Sequence, residues 1–147
     1  MPSPSVPPSV DDLAPEDAAL VAQAVALLEQ RAVVGRHEVA AAVRMRSGGV
    51  YLGIHVESSI GRASICAEGV AIGTAVAHGE REIETCAAVL RTDDGGWRVV
   101  TPCGLCRELI SDYGPDAHVV NYDAGAVERV PVRTLLPAKT TRRWAAH

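Results

Sequence analysis

Two short stretches decide the fold and the chemistry of this chain: S-I-C-A-E-G-V-A-I-G at residues 64–73 and T-P-C-G-L-C-R-E at residues 101–108. Each is predicted to lead from a loop into a helix, which places three cysteines near helix N-termini: Cys66, Cys103 and Cys106. The positive end of a helix dipole favours the thiolate, which is the form of cysteine that binds Zn²⁺. Three protein ligands leave the fourth position of zinc open, which is typical of catalytic sites.

Glu68 follows Cys66 by two residues, so both side chains can face one site. Water in the open position of a zinc ion is acidified towards neutrality, and its proton needs an acceptor. On its own, a glutamate in the first turn of a helix is ordinary, because the helix dipole favours an acid there. Beside three cysteines, Glu68 is predicted to be the catalytic proton carrier.

Two other interpretations of the cysteines stay open. A structural zinc site could take its fourth ligand from one of three residues: His37, His55 or Cys86. A redox-active C-x-x-C is the other alternative, but Pro102 precedes its first cysteine and no thioredoxin-like context surrounds it. A closed structural site gives no reason for Glu68 or Pro102, so a catalytic site is favoured. Cys86 lies in a predicted strand, where a buried free thiol is expected.

Length, charge and composition limit the classes of function. The 147 residues are 48% hydrophobic and 22% charged, which fits one globular domain, predicted over residues 13–147. Residues 1–12 are rich in Pro and Ser and are predicted to be a disordered tail. The net charge of −4 argues against a nucleic-acid polymer as a partner.

The sequence pattern predicts neither a membrane-spanning helix nor a secretion signal. No apolar run reaches the length of about 18 residues that a membrane span needs. The N-terminus lacks the basic start and apolar stretch of a signal peptide. A cytoplasmic protein is therefore expected, in which the four cysteines are ligands or free thiols rather than disulfides.

Apolar periodicity, turn residues and helix caps give an alternating pattern of elements. Helices are predicted at residues 15–31, 67–78 and 104–113, and strands at residues 39–45, 50–56, 84–90, 117–122 and 126–132. A short extension at residues 98–100 and a helical turn at residues 132–136 complete the pattern. An α/β fold is therefore expected, with three αβα layers built around a five-stranded mixed sheet.

The order of the functional residues matches a known signature. Cys-x-Glu followed by Pro-Cys-x-x-Cys is the motif of zinc nucleoside deaminases in its three-cysteine form. The informative segments extend beyond it, to H-E-V-A-A-A-V-R, H-V-E-S-S-I-G-R-A-S-I-C-A-E-G-V-A-I-G-T-A-V, R-V-V-T-P-C-G-L-C-R-E-L-I-S-D-Y-G-P-D and R-T-L-L-P-A-K-T-T-R. From about His37 to Arg142 the chain resembles the blasticidin S deaminases of the bacterial type, a branch of the cytidine deaminase superfamily. The resemblance implies the cytidine deaminase-like fold.

The resemblance also implies a reaction, the hydrolytic removal of the 4-amino group of a cytosine ring with release of ammonia. The expected substrate is blasticidin S or a related cytosine nucleoside antibiotic. Zinc held by the three cysteines activates a water, and Glu68 moves its proton to N3 of the ring and helps the amine leave. The carbonyl of Thr101 is expected to accept from the 4-amino group, and the backbone N–H of Ala67 to contact the pyrimidine. One alternative is a cytidine or deoxycytidine deaminase of pyrimidine salvage, and another is a non-catalytic, zinc-stabilised binding module.

The charge of the metal site calls for donors to the sulfurs. Three thiolates outweigh one Zn²⁺, and many three-cysteine cytidine deaminases place an arginine directly after C-A-E. This chain has Gly69 there, so Arg107, directly after Cys106, is predicted to donate hydrogen bonds to the sulfurs that hold the metal. The alternative for Arg107 is an ordinary arginine on the surface of a helix.

The residues expected on the substrate side depart from the nucleoside pattern. Ordinary cytidine deaminases carry F-x-V-G-A and N-x-E, where this chain has His37 in place of Phe and His55-Val56-Glu57 in place of N-x-E. His55 or Arg62 is predicted to face the carboxylate of blasticidin S, and Glu57 an N–H group. Alternatively, the two histidines are hydrogen-bonded near strand ends and Arg62 lies at a subunit contact.

The C-terminal segment departs from the pattern as well. Relatives have an aromatic residue three places after L-L-P, where this chain has Thr140, and Trp144 is the nearest ring. The resemblance further implies a homotetramer with its sites at subunit interfaces. The partner expected in each site is a small-molecule cytosine nucleoside.

Overall fold

A mixed sheet with helices on both faces forms the described part of the chain. The computed structural model describes residues 9–142, so most of the predicted tail over residues 1–12 lies outside the described residues, as does Trp144. The helices are α1 (Pro15–Arg31), α2 (Ala67–Ala77) and α3 (Gly104–Tyr113), with 3₁₀ helices at Gly61–Ala63 and Val132–Leu135. The strands are β1 (Val39–Met45), β2 (Val50–Ile54), β3 (Ile83–Arg91), β4 (Trp97–Val99), β5 (His118–Asp123) and β6 (Ala126–Pro131).

The strands follow the order β2-β1-β3-β5-β6, and β4 pairs with β3 beside this path. β3 and β5 run parallel, while the other paired strands run antiparallel. α1 packs on one face of the sheet, and α2 and α3 pack on the other. The predicted three-layer αβα fold with a five-stranded mixed sheet is therefore confirmed. β4 adds a short sixth strand where the sequence indicated only an extension.

β4 brings the second cysteine stretch to the middle of the sheet. Val99 in β4 lies opposite Val89 in β3. The N–H of Val100 then donates to the carbonyl of Ala88 at 3.0 Å, so the chain still follows β3 after β4 has ended. Residues 101–103 leave the sheet from this fixed point and lead directly into α3.

A buried ion pair network attaches α1 to the sheet. Pro15 begins the helix, as expected for a residue with fixed φ and no N–H to donate. Asp17 in the first turn is only 1% exposed, and its carboxylate lies 2.7 Å from Arg44 in β1 and 3.2 Å from Arg129 in β6. A carboxylate this deeply buried is tolerated because both of its oxygens face a guanidinium.

Gly53 in β2 lets α2 approach the sheet closely. A Cβ on Gly53 would collide with the backbone N of Ala71 and the carbonyl oxygen of Ala67, and would lie 2.9 Å from Cα of Ala71. A glycine inside a strand often marks such an approach of another backbone. Since Ala67 follows Cys66 directly, this contact determines how the first turn of α2 sits over the sheet.

Replacing Gly53 by Ala is expected to lower the free energy of unfolding by about 1–3 kcal/mol, the usual cost of overpacking a core. The atoms that the new methyl group would meet belong to the backbone and cannot rotate away. Gly73 in α2 is the matched control, because a Cβ there has no neighbour within 4 Å. Gly73→Ala is expected to stabilise by about 0.5–1 kcal/mol through helix propensity. Urea unfolding of the two variants tests this, and equal stabilities would contradict the close approach.

Candidate active site

The three predicted cysteines meet at the N-termini of two helices. Cys66 is the N-cap of α2, Cys103 is the N-cap of α3, and Cys106 lies in the first turn of α3. Their Sγ atoms all lie within 4.8 Å of one another, and those of Cys66 and Cys103 are 3.7 Å apart. Two thiolates on a tetrahedral zinc with Zn–S bonds of about 2.3 Å are separated by about 3.8 Å. The sulfur cluster therefore fits a zinc ion.

No other metal-binding side chain of residues 9–142 joins this cluster. His37, His55 and Cys86, considered as fourth ligands of a structural site, lie outside it. Cys86 is a free thiol, 2% exposed in β3, as the sequence predicted. Three sulfur ligands with no fourth side chain match a site that leaves one position open.

Burial competes with the helix dipoles at the thiols. Burial raises the pKa of Cys66, and the nearby Cys103 adds to this. Burial also raises the pKa of Cys106, with a further contribution from the charge of Glu68. At Cys103 burial acts in the same direction, but hydrogen bonds from Cys106 and Cys66 outweigh it and lower the pKa. Because coordination lowers the pKa of a thiol, zinc binding and thiolate formation are coupled.

Glu68, the second residue of α2, is buried beside the sulfurs with 5% of its surface exposed. Burial raises the pKa of its carboxyl group above the usual range, because the charged form loses solvation. Apolar side chains line the narrow space behind it, among them Ala88, Ile110 and Val119. This surrounding suits a carboxyl group that cycles between its protonated and ionised forms.

An open cavity of about 290 Å³ lies in front of the sulfurs and is lined by Val39, His55, Cys66, Ala67, Glu68, Leu90, Val100, Thr101 and Cys103. Its volume is near the lower end of small-molecule sites, at about 300 Å³. Five of the residues that the sequence singled out meet here with the buried glutamate, while the remaining walls are apolar. Apolar walls with a few convergent polar groups are the usual composition of a ligand site.

The predicted substrate residues do not all line the cavity. His55 lines the cavity, and its Nε2 lies 3.3 Å from a carboxylate oxygen of Glu57. Glu57 is not among the described residues that line the cavity, and it accepts a hydrogen bond from Ser64 Oγ at 2.7 Å, which lowers the pKa of its carboxyl group. His37 and Arg62 are not among the residues that line the cavity in the described chain. Contact of these two with a substrate stays a prediction.

His37 matches the alternative in which the histidine is hydrogen-bonded near a strand end. Its Nδ1 lies 2.8 Å from the carbonyl oxygen of His55, just beyond the end of β2. Arg62 is exposed on the 3₁₀ helix that precedes Cys66. The three residues therefore have different positions: His55 lines the cavity, His37 contacts the backbone of His55, and Arg62 is exposed at the surface.

Hydrogen bonds fix the loop that carries Thr101 and Pro102. Thr101 Oγ1 donates to the carbonyl of Tyr122 at 2.6 Å, which ties the loop to β5. The guanidinium of Arg107 donates to the carbonyl of Pro102 at 2.8 Å and to that of Leu135 at 3.0 Å. These two N–H groups of Arg107 thus support the backbone just before Cys103, and the predicted bond to a sulfur stays a prediction.

Two supporting residues were missed by the sequence reasoning. Ser64 holds Glu57, and its signal was only its position two residues before Cys66. The side chain of Lys139 is nearly buried and donates to Asp112 Oδ1 at 2.6 Å and to the carbonyl of Glu108 at 3.1 Å. It thereby holds the C-terminal segment against α3, whose N-terminal end carries two of the sulfurs.

Comparison with known proteins agrees with this site. Residues 15–122 match the sequence profile described as the cytidine and deoxycytidylate deaminase zinc-binding region. The chain belongs to this deaminase family. It is 43% identical over 111 residues to blasticidin-S deaminase from Bacillus cereus, which covers 73% of this chain and 79% of that protein. It is 32% identical to cytidine deaminase from Halalkalibacterium halodurans, over 72% of this chain and 79% of the relative.

Solved structures place this deaminase in the same fold. The crystal structure of cytidine deaminase from Burkholderia pseudomallei superposes with a TM-score of 0.69 at 31% identity, covering 83% of this chain and 97% of that one. Family membership and the sulfur cluster together make this chain a zinc-dependent deaminase, a hydrolase. Among the described residues, no helix has the length and apolar character to cross a membrane.

Proposed function

We propose that this deaminase removes the 4-amino group of the cytosine ring of a nucleoside antibiotic, with blasticidin S as the substrate. The observation that carries the proposal is the 43% identity to a blasticidin-S deaminase, against 32% to a cytidine deaminase at similar coverage. His55 in the cavity wall supports it, because this chain has a histidine there where ordinary cytidine deaminases carry the amide of N-x-E.

The residues of the chain divide the reaction between them. Zinc bound by the three sulfurs supplies a Lewis acid that makes water nucleophilic near neutral pH. Glu68, beside the sulfurs and facing the cavity, takes one proton from the attacking water and delivers it to N3 of the ring. It then transfers the second proton to the amino group. The C4–N bond breaks, ammonia leaves and the oxygen of water remains as the C4 carbonyl, which converts the cytosine ring to uracil.

Backbone groups at the cavity orient the ring. Ala67 and Thr101 both line the cavity, one in the first turn of α2 and the other at the end of the loop from β4. The carbonyl of Thr101 accepts from the 4-amino group, and the N–H of Ala67 contacts the pyrimidine. Pro102 supports this role, because a residue before proline is held in an extended conformation.

Assembly into a homotetramer with sites at subunit interfaces belongs to the same proposal. Exposed apolar side chains next to the metal-binding cysteines in the chain support it: Ile65, which precedes Cys66, is 50% exposed, and Leu105, between Cys103 and Cys106, is 70% exposed. Side chains of this kind around one site favour contact with another chain. A cytoplasmic location is supported by the four free cysteines, since disulfides form in oxidising compartments.

A cytidine deaminase of pyrimidine salvage is the second candidate. The identity of 31% to the solved cytidine deaminase from Burkholderia pseudomallei favours it, as does the cavity itself, since the sulfurs and Glu68 serve either substrate. The choice between the two substrates therefore depends on the residues that face the sugar. Of the residues predicted for that role, His55 is the one that lines the cavity.

The deciding experiment follows the loss of cytosine absorbance when zinc-loaded protein receives blasticidin S or cytidine in parallel. We expect kcat/KM to be at least tenfold higher for blasticidin S, which corresponds to about one or two polar contacts that cytidine cannot make. His55→Asn, which restores the amide of the N-x-E pattern, is expected to reduce this ratio. A higher kcat/KM for cytidine in the parent protein would favour the salvage candidate, and no turnover of either would refute both.

A further inference from the structure

The backbone of His55 is held from two sides where β2 ends. Its N–H donates to the carbonyl of Val39 at 2.8 Å, which continues the pairing of β1 with β2 by one step. Its own carbonyl lies 2.8 Å from Nδ1 of His37. Because a carbonyl oxygen can only accept, Nδ1 of His37 carries a proton and donates it. The ring of His37 thus adds one further hydrogen bond beyond the end of the strand.

The backbone of His37 is fixed by two hydrogen bonds with Val33. Its N–H donates to the carbonyl of Val33 at 2.8 Å, and its carbonyl accepts from the N–H of Val33 at 3.0 Å. The turn between them contains Gly35 with a φ of 75°, a left-handed conformation that favours glycine. Because the backbone of His37 is already ordered by this turn, its hydrogen bond to the neighbouring strand costs little further backbone entropy. His37 therefore suits a positioning role.

The imidazole of His55 is held at its far end by a second chain of contacts. Its Nε2 faces Glu57 at 3.3 Å, Glu57 accepts from Ser64 Oγ at 2.7 Å, and Ser64 Oγ accepts from the N–H of Ser58 at 3.0 Å. All of these residues belong to the loop between β2 and α2. His37 comes from before β1, so it ties His55 to a different part of the fold.

We propose that His37 is a positioning residue, whose ring N–H holds the carbonyl of His55 and thereby orients the imidazole of His55 in the cavity wall. This inference rests on the proposed function, in which His55 recognises the part of the nucleoside beyond the cytosine ring. Glu68 and the sulfurs stand on α2 and α3 and make no use of this bond. Loss of the donor therefore weakens substrate binding and leaves the chemical step nearly unchanged.

Two substitutions separate the hydrogen bond from the bulk of the ring. His37→Phe keeps a ring and removes the donor, whereas His37→Asn keeps a short side chain whose amide N–H can replace Nδ1. With blasticidin S, His37→Phe is expected to raise KM roughly fivefold with kcat nearly unchanged, as for the loss of one hydrogen bond. His37→Asn is expected to stay close to the parent. Equal kinetics for the two variants would overturn the proposal.

A double-mutant cycle with His55→Ala tests whether His37 acts through His55. In the His55→Ala background, His37→Phe is expected to cause no further rise in KM, because the imidazole that it orients is gone. The full rise in that background would overturn the proposal. If His37→Phe does not fold, His37→Gln, whose amide reaches one bond too far, takes its place in both experiments.

A spectroscopic measurement keeps the inference separate from the proposed function. In zinc-loaded protein, NMR signals of the His55 ring are expected to move in His37→Phe and to stay in place in His37→Asn. Unchanged ring signals in both variants would overturn the proposal even if the parent deaminates blasticidin S. If the parent turns over neither blasticidin S nor cytidine, the proposed function fails, and the ring signals still decide whether His37 orients His55.

Discussion

Glu68→Gln is expected to lower kcat for ammonia release by about 10²–10⁴-fold, the usual contribution of a positioned general acid–base group. Glutamine has nearly the same size and keeps hydrogen-bonding atoms at the same place, so the fold and the sulfur cluster remain. It cannot take a proton from water or return one to the ring. Since Glu68 is 5% exposed, bulk solvent has poor access to replace it as the proton carrier. The measurement is the initial rate of ammonia release at saturating substrate.

Zinc content and stability must be measured on the same variant. Glu68→Gln is expected to retain zinc at the level of the parent, because the metal is held by the three sulfurs. Glu128→Gln is a matched control, a carboxylate-to-amide change at an exposed position of β6 that keeps full activity. Release of ammonia at the parent rate by Glu68→Gln would show that another group carries the proton.

The elements that the sequence predicted most accurately depend on local patterns. The bounds of α1, β1 and α3 agree with the predicted ranges, since apolar periodicity and flanking Pro or Gly determine where such elements begin and end. β2 is shorter than the predicted range of residues 50–56. Its last residues join the loop to α2, where Val56 pairs with Ile65. That pairing depends on the closure of the loop at residues 57–64, which apolar periodicity does not predict.

In the site, too, local sequence motifs predicted some positions, whereas positions that depend on contacts with distant segments could not be predicted. The spacing of Cys66, Cys103 and Cys106 predicted their meeting, because each stands at a helix N-terminus and the motif is specific. The sequence left two interpretations open for His37 and for Arg62 and could not decide between them, since whether either side chain reaches the cavity depends on its partners in other segments. The burial of Asp17 is a similar case, because its two arginines come from distant strands.

Cys106→Ala is expected to reduce the affinity for zinc by more than about 100-fold, beyond what the loss of an outer-shell partner costs. Two sulfurs would remain, and the buried position of Cys106 gives little room for solvent to replace the third. Cys86→Ala is the matched control, because it also removes a buried thiol but one that lies outside the cluster. Its zinc content is expected to equal that of the parent. Zinc released per chain after passage over a chelating resin measures both variants. Retention of zinc by Cys106→Ala, or its loss from Cys86→Ala, would mean that the metal is held by a different set of residues.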